Sequence, residues 1–189
     1  MGNLTREEIL KKLETGDSLS GTDLSHVDLS YANLKNANFE RANLQNAHLQ
    51  NAILTGANLA RTNLKDAFLF GSNLQNANLE QADLKGAKLQ DTNMENANLK
   101  GVDLSDLSMF GAQLDGANLE NANLSNTKLK RASLVGARLV HCNLSNAHLQ
   151  RANLKNADLS GANMDGARLQ NANLSGAKTE GVDLAKTIQ

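Results

Sequence analysis

Residues 76–100 read NANLE QADLK GAKLQ DTNME NANLK, a five-residue unit repeated five times. The same register runs from Leu24 to Leu184, and Leu occupies 28 of the 33 positions that are spaced by five. The other five positions hold Phe39, Met94, Met109, Met164 and Thr179. Two residues before each of these positions lies a small residue, which is Ala in 23 of the 33 units. A fixed internal period of this kind indicates a solenoid and outweighs local helix or strand propensities.

A period of five fits neither a helix nor a plain strand. Positions five apart on an α-helix are rotated by roughly 140°, and a strand alternates with period two. The small residue and the Leu lie two apart, so a short extended piece points both side chains to one side. Gly or Asn often follows two residues after the Leu, as at Asn46, Gly56 and Gly86, where a tight turn is expected. Each unit is therefore predicted to form one side of a polygon, with Leu and Ala inside.

A second, longer period in the sequence gives the number of sides in each coil. The residue before the Leu is Asp or Asn at all nine positions of one row taken every 20 residues, but at only one of eight in the next row. A period of 20 predicts four units per coil and about eight coils. Residues 20 apart are then expected to stack at roughly the 4.8 Å spacing of neighbouring strands.

This pattern resembles that of the pentapeptide-repeat proteins, A-(D/N)-L-x-x, and the resemblance covers roughly residues 17–186. It implies an all-β solenoid, a right-handed quadrilateral β-helix with Leu and Ala pointing inward. It does not imply one function: the best-known members mimic DNA and protect topoisomerases, and others have no established biochemistry. The chain is interpreted as an N-terminal capping helix in residues 1–16, followed by a pentapeptide-repeat β-helix in residues 17–189.

The two ends of the repeat carry different signals. Thr5 and Glu8 are spaced as a capping box, with Leu4 and Ile9 as a hydrophobic staple, which predicts an α-helix over about Arg6–Glu14. This helix is expected to cover the first coil, since solenoid ends expose apolar surface; partner binding is the alternative. No such signal follows Leu184. We expect either a tail that folds back with Ile188 as a plug, or a homodimer formed through the C-terminal coil.

Residues that could support chemistry are few. His48 and His148 share a row but are expected to lie five coils apart, roughly 24 Å at strand spacing, too far to share a metal ion. Cys142, the only cysteine, occupies an inward small position and is interpreted as a buried thiol in place of Ala. We expect no enzyme activity, cofactor or metal. The chain has no apolar signal segment and no apolar run of membrane-spanning length, so a cytoplasmic location is the expectation.

The surface charge is uneven although the net charge is only −1. Residues 91–120 carry six acids and one base, whereas residues 128–155 carry six bases and no acid. Aromatic residues accompany the bases on the side that lacks Asp and Asn. We name this candidate partner-binding surface the basic–aromatic face: Phe68, Phe70, Lys88, Phe110, Lys128, Lys130, Arg131, Arg151 and Arg168. Its three Phe side chains are predicted to be more than half exposed, beside a line Lys88–Lys128–Arg168.

Aromatic residues and Arg are enriched at protein interfaces. The hypothesis is therefore a non-catalytic scaffold that binds another protein, of unknown identity, through this face. A purely solvated face is one alternative. Single-stranded nucleic acid is a second, although Asp28 and Asp91 interrupt the basic stripe. A DNA-mimicking protein that binds a topoisomerase (gyrase) is a third, and it would require a continuous acidic surface.

Overall fold

A 20-residue ladder organises the chain in the computed structural model, which describes residues 4–189. Parallel backbone bridges join residues 20 apart in four rows. The rows define the four sides of the coil: side 1 begins with Asp23–Asn43, side 2 with Asp28–His48, side 3 with Asn33–Ile53 and side 4 with Asn38–Asn58. Each strand is one bridged residue between two turns, and no longer strand occurs in this part of the chain. The predicted period of 20 residues and the four sides are confirmed.

The core is a continuous column of Leu side chains. From Leu24 to Leu159 every residue at the repeating Leu position is at most 1% exposed, including Phe39, Met94 and Met109. The small residues two positions earlier are buried as well, apart from Thr22 and Val27 in the first coil, which are partly buried. The inward assignment of Leu and Ala is therefore confirmed.

Every corner of the coil uses the same turn. The N–H of each small residue donates to the carbonyl of the preceding Leu position, as from Ala32 to Leu29 at 3.1 Å. The residue two after the Leu has a positive φ in every unit from Gly21 to Gly181, as a type II turn requires. Gly and Asn suit this conformation, but Arg131 and Arg151, each with φ 60°, adopt it too. Such a residue costs roughly 1–2 kcal/mol, which the stacked coils must offset.

Side-chain ladders explain why Asn precedes so many of the Leu residues. On side 4 the amide of Asn98 donates to Oδ1 of Asn78 at 3.1 Å, and Asn118 donates to Asn98 at 3.4 Å. The same Oδ1 of Asn98 also accepts the backbone N–H of Lys100 within its own turn. Asn can thus bond both up and down the stack, whereas Asp can only accept.

The N-terminal helix, α1, comprises Arg6–Glu14 and has the predicted capping box between Thr5 and Glu8. Ile9 is completely buried in the core cluster, and Leu10 and Leu13 pack against it. The Arg6 guanidinium donates to the carbonyls of Asp28 and Ser30, at 2.9 and 3.0 Å. The helix is thus fixed to the first coil. Met1–Asn3, the start of the proposed 1–16 segment, lie outside the described residues.

The C-terminal tail folds back onto the last coil. After a 3₁₀ helix at Leu184–Lys186, Ile188 pairs with Arg168 and its N–H donates to the Ala167 carbonyl at 2.8 Å. The alternative of a folded-back tail is therefore confirmed, but Ile188 is 47% exposed, so its expected role as a plug of the core is wrong. It extends the outward row of side 2, because it lies 20 residues after Arg168. Leu184 is also 37% exposed, so this end keeps apolar surface.

One interruption breaks the ladder in the middle of the rod. Within residues 4–189, no bridge joins Asp83 to Asp103 or Lys88 to Ser108, although bridges continue on sides 3 and 4 at the same level. In the continuous part of the rod each side contributes three backbone hydrogen bonds per coil, such as Leu64 N–H to the Asp83 carbonyl at 2.8 Å. The corresponding bonds between residues 81–89 and 100–108 are missing on both sides. We call this opening, about 870 Å³ in volume, the coil gap.

Two features of the sequence account for the coil gap. Val102 and Leu107 occupy inward small positions, where Ala, Ser, Thr or Cys stands in all other units between residues 32 and 177. Larger side chains at such positions overfill the core and push the backbone outward. Asp83 and Asp103 are also consecutive in the side 1 row, and Asp103 cannot donate to Asp83 as Asn123 donates to Asp103. The side-chain ladder of side 1 is therefore broken at the gap.

The inside–outside assignment predicts different effects for two neighbouring substitutions. Leu144 is completely buried and Asn146 is exposed, so Leu144→Asp and Asn146→Asp introduce the same charge on opposite sides of the wall. We expect Leu144→Asp to lower the free energy of unfolding by about 3 kcal/mol or more, because its carboxylate has no partner. Asn146→Asp should change it by about 0.5 kcal/mol or less, since Asp tolerates the left-handed corner. Denaturant unfolding measures both, and equal losses would contradict the assignment.

Candidate protein-binding face

The cations of the basic–aromatic face come from neighbouring columns of side 2 and its following corner. Lys128, His148 and Arg168 form consecutive bridges in the outward row of side 2. Lys130 lies on the first turn position after this side, and Arg131 and Arg151 occupy the next position, the left-handed corner. The repeat therefore brings together residues that are 20 and 40 apart in the chain.

The phenylalanines are less exposed than predicted. Phe70 and Phe110 are 43% and 41% exposed, and Phe68 is only partly exposed, so the expectation of more than half exposure is wrong for all three. Phe68 lies against His48 in the adjacent coil, with ring centroids 4.8 Å apart. The ladder stacks each side chain on its neighbour 20 residues away, and this stacking covers part of each ring. Phe68 thus has a structural contact, whereas Phe70 and Phe110 keep a free edge.

The coil gap interrupts the side 2 row of the basic–aromatic face, although the Asp91 N–H still donates to the Phe110 carbonyl at 2.9 Å at the following corner. Lys88 and Ser108 would be consecutive in the row, but they are not bridged. The expected line Lys88–Lys128–Arg168 is therefore interrupted, and Phe68, Phe70 and Lys88 remain on the N-terminal side of the gap. The other six residues lie beyond it, and we call them the basic cluster: Phe110, Lys128, Lys130, Arg131, Arg151 and Arg168.

The basic cluster contains a pocket of about 350 Å³ lined by Phe110, Lys130, Arg131, Gln150 and Arg151. The Arg131 guanidinium carbon lies 5.8 Å from the centroid of the Phe110 ring, within cation–π range. Gln150 is absent from the predicted face. The repeat could have identified it, because it stands 20 residues after Lys130 and 40 after Phe110 in the same column.

The cations of the basic cluster have no acidic partner among residues 4–189, where ten ion pairs occur elsewhere. A contrasting arrangement lies beside side 4, where Glu120 binds Lys100 at 3.2 Å and Arg138 at 2.9 Å. The pairing of Glu120 satisfies those two cations. The charges of the basic cluster remain available to an anion from outside.

His148 reports the positive potential of this cluster. Burial lowers the pKa of His148, and the nearby charges of Arg168, Lys130 and Lys128 lower it further. Each of these effects disfavours the imidazolium form. His148 therefore stays neutral down to a lower pH than an ordinary histidine.

Other reactive residues behave as structural groups. Cys142 is 1% exposed, its thiol donates to the Leu119 carbonyl at 2.7 Å, and burial raises its pKa to about 12. Thr62 and Thr127, at equivalent inward positions, donate to carbonyls 23 residues earlier in the same way. The prediction of a buried thiol in place of Ala is confirmed. No group of three or more His, Cys, Asp or Glu side chains in residues 4–189 is arranged to hold a metal ion.

Comparison with known families agrees with this architecture. The family model described as "Pentapeptide repeats" matches residues 18–46, 108–146 and 142–178 with eight copies. A second family model, "Pentapeptide repeat region", matches residues 42–119. Together these matches extend over most of the chain. The chain belongs to the pentapeptide repeat family.

Solved structures of this family resemble the chain to different extents. HetL, a pentapeptide repeat protein involved in heterocyst differentiation regulation from the cyanobacterium Nostoc sp. strain PCC 7120, is 30% identical with a TM-score of 0.53. The alignment covers 95% of this chain and 97% of HetL. A pentapeptide repeat protein from the Arabidopsis thaliana thylakoid lumen is also 30% identical, over 67% of this chain and 71% of its own, with a TM-score of 0.22. The plasmid-mediated fluoroquinolone resistance protein QnrB1 is 18% identical over 86% of this chain and 89% of its own, with a TM-score of 0.40.

HetL is a pentapeptide repeat protein, and the fold of this family is the right-handed quadrilateral β-helix that the resemblance implied. No curated protein matches the chain. Within residues 4–189, no helix has both the length and the apolar character needed to cross a membrane.

Replacement of Arg168 should raise the pKa of His148. Arg168→Gln removes the largest of the three charge effects but leaves the burial, so we expect a partial return toward the ordinary histidine pKa. The depressed pKa means that the folded state binds this proton less readily than the unfolded state. His148 therefore destabilises the fold as pH falls through the unfolded-state pKa, and Arg168→Gln should reduce that loss. An NMR titration of the His148 ring measures the shift; an unchanged pKa would contradict the role assigned to Arg168.

Proposed function

We propose that this protein is a non-catalytic β-helical scaffold that binds an acidic segment of a partner protein through the basic cluster. The observation that carries the proposal is the group of unpaired cations around the Phe110 pocket. Lys130, Arg131 and Arg151 line one pocket without a carboxylate to neutralise them. An acidic segment would provide the missing charges, and an apolar or aromatic side chain within it would cover the free edge of Phe110.

The two arginines occupy corners at which the fold does not require Arg, although Arg41 and Arg61 have the same conformation elsewhere in the rod. Arg131 and Arg151 occupy the left-handed corner that Gly, Asn or Asp occupies at most other turns of the rod. Arg gains nothing locally from this backbone conformation, whereas Gly would adopt it without strain. The corner also projects both guanidinium groups beyond the wall of the coil, where a partner can reach them.

A DNA-mimicking protein that binds gyrase is the alternative, and the charge distribution disfavours it. DNA mimicry requires a continuous run of carboxylates at phosphate-like spacing. Here an acidic segment, residues 91–120, is followed by a basic one, residues 128–155, and several acids are neutralised in ion pairs. HetL is described as involved in regulation of heterocyst differentiation, and a regulatory protein that acts by binding is compatible with the proposal.

Charge reversal in the basic cluster tests the proposal. A display library of random twelve-residue peptides is panned against the wild type. It is also panned against Lys130→Glu/Arg131→Glu/Arg151→Glu and against a control, Lys11→Glu/Lys35→Glu/Lys155→Glu. The control residues are exposed and unpaired. Both variants replace three cations by three carboxylates, so they reach the same net charge. We expect the wild type and the control to enrich acidic sequences with aromatic residues, and the cluster variant to lose this capture by about tenfold or more.

Salt should weaken the same capture, because exposed charges are screened over roughly 10 Å at 0.1 M ionic strength. Phe110→Ser should weaken it without changing the melting temperature, since the ring is 41% exposed. Equal enrichment on all three proteins, or enrichment of sequences without acids, would exclude the basic cluster as the binding site.

We also propose a homodimer through the C-terminal coil. Leu174 and Val182 are only partly buried and Leu184 is exposed, so this end retains apolar surface that a second copy would cover. Leu184→Lys should shift the protein toward monomer with little change in secondary structure, as measured by sedimentation and circular dichroism. Wild-type protein that sediments as a monomer at high concentration would contradict the dimer.

A further inference from the structure

The coil gap exposes two backbone edges that face each other. On its N-terminal bank, the N–H groups of Gln81, Leu84, Gly86 and Leu89 lack the inter-coil acceptors that equivalent residues have in other coils. On its C-terminal bank, the carbonyls of Lys100, Asp103, Ser105 and Ser108 lack the corresponding donors. Open edges of this kind are templates for pairing with another strand.

A peptide backbone is the chemical group that matches both banks. An extended segment presents N–H and C=O groups at the spacing of the ladder, and it can accept from one bank while it donates to the other. Strand addition to an exposed edge is an established mode of peptide recognition. The segment would lie between the two edges on side 1 or side 2. The N-terminal bank runs only from Gln81 to Leu89, which limits the length of the segment.

The lining of the gap selects the charge of the segment. Asp66, Asp83, Asp103 and Asp106 line the opening, against Lys65 and Lys85. Lys65 is already bound to Asp83 at 3.0 Å. Burial tends to raise the pKa of Asp103, but hydrogen bonds from Ser105 and Asn123 and the charge of Lys85 outweigh it and lower the pKa overall. The opening therefore carries a net negative charge at neutral pH.

We propose that the coil gap binds an extended, basic peptide segment of a partner protein, which adds as a strand between residues 81–89 and 100–108. This site is separate from the basic cluster and has the opposite charge preference. Val102 and Leu107 keep the gap open by overfilling the core, and the Asp83–Asp103 pair prevents the side-chain ladder from closing it. The backbone edges give affinity, and the carboxylates select Lys and Arg.

A variant that closes the gap provides the sharpest test. Val102→Ala/Leu107→Ala/Asp103→Asn restores the repeat pattern, because the new amide at position 103 could donate to Asp83, as Asn123 donates to Asp103 at 2.9 Å. A display library of random nine-residue peptides is panned against the wild type and this closed variant. We expect the wild type to enrich sequences rich in Lys and Arg. The closed variant should capture them at least about tenfold less while melting at the same or a higher temperature.

A second variant separates charge from shape. Asp66→Asn/Asp106→Asn keeps the gap open, and Asn tolerates the positive φ that both residues have. It should reduce the enrichment of basic residues at least about tenfold, and it carries the test alone if the closed variant fails to fold. The Lys130→Glu/Arg131→Glu/Arg151→Glu variant should retain capture of basic peptides, which distinguishes failure of this proposal from failure of the proposed function.

Three results would overturn the proposal. The first is the absence of any enriched sequence on the wild type, and the second is equal capture by the open and closed proteins. The third is wild-type self-association that disappears in the closed variant, since it would make a second copy of this chain the occupant. Sedimentation of the two proteins at several concentrations gives this last result.

Discussion

Every feature of this molecule depends on the hydrogen bonding of each coil to the next at a spacing of 20 residues. In the continuous part of the rod, the backbone N–H of the Leu position donates to the following coil, and the N–H of the outward residue before it donates to the preceding coil. A single unit of five residues cannot bury its Leu or satisfy its backbone alone. Stacking fulfils both requirements at once, and this is why solenoid repeats are stable only as an array. It also fixes which surface residues become neighbours.

The stacking constraint explains the unusual tolerance of strain in this chain. Residues such as Tyr31, Arg41 and Arg151 have left-handed backbone conformations that would be unfavourable in isolation. The turn hydrogen bond and the bonds to both neighbouring coils determine each corner, so the side chain there has little influence on the backbone. The corners are thus positions where function can vary without loss of the fold. The basic cluster uses two of them.

Much of the fold could be predicted because inward positions tolerate few residue types. The period of 20, the inward Leu and Ala, the helix α1 with its capping box and the buried Cys142 all follow from local patterns. The predicted exposure of Phe68 is wrong, because the repeat indicates direction but not the covering by a stacked neighbour such as His48. The predicted burial of Ile188 fails for a related reason, since its place in the outward row outweighs its apolar character.

The coil gap has a signature in the sequence that the repeat pattern alone does not reveal. Val102 and Leu107 fit the pattern as apolar inward residues, and only their volume distinguishes them from Ala. Repeat patterns group residues by class, whereas the core responds to volume. The consecutive Asp83 and Asp103 carry a second signal, because Asp continues the motif but cannot donate to its neighbour. Gln150 could likewise have been placed in the pocket, because it shares a column with Lys130 and Phe110.

Amide hydrogen exchange measured residue by residue along the rod tests the central claim most directly, because it reports the inter-coil hydrogen bonds themselves. Leu64 and Leu84 occupy equivalent positions one coil apart, as do Asp66 and Gly86, and Leu69 and Leu89. We expect slow exchange at the first member of each pair and exchange that is orders of magnitude faster at the second, with slow exchange resuming at Leu104 and Met109. Uniform protection through residues 81–89 would show that the coils are continuous and would contradict the coil gap.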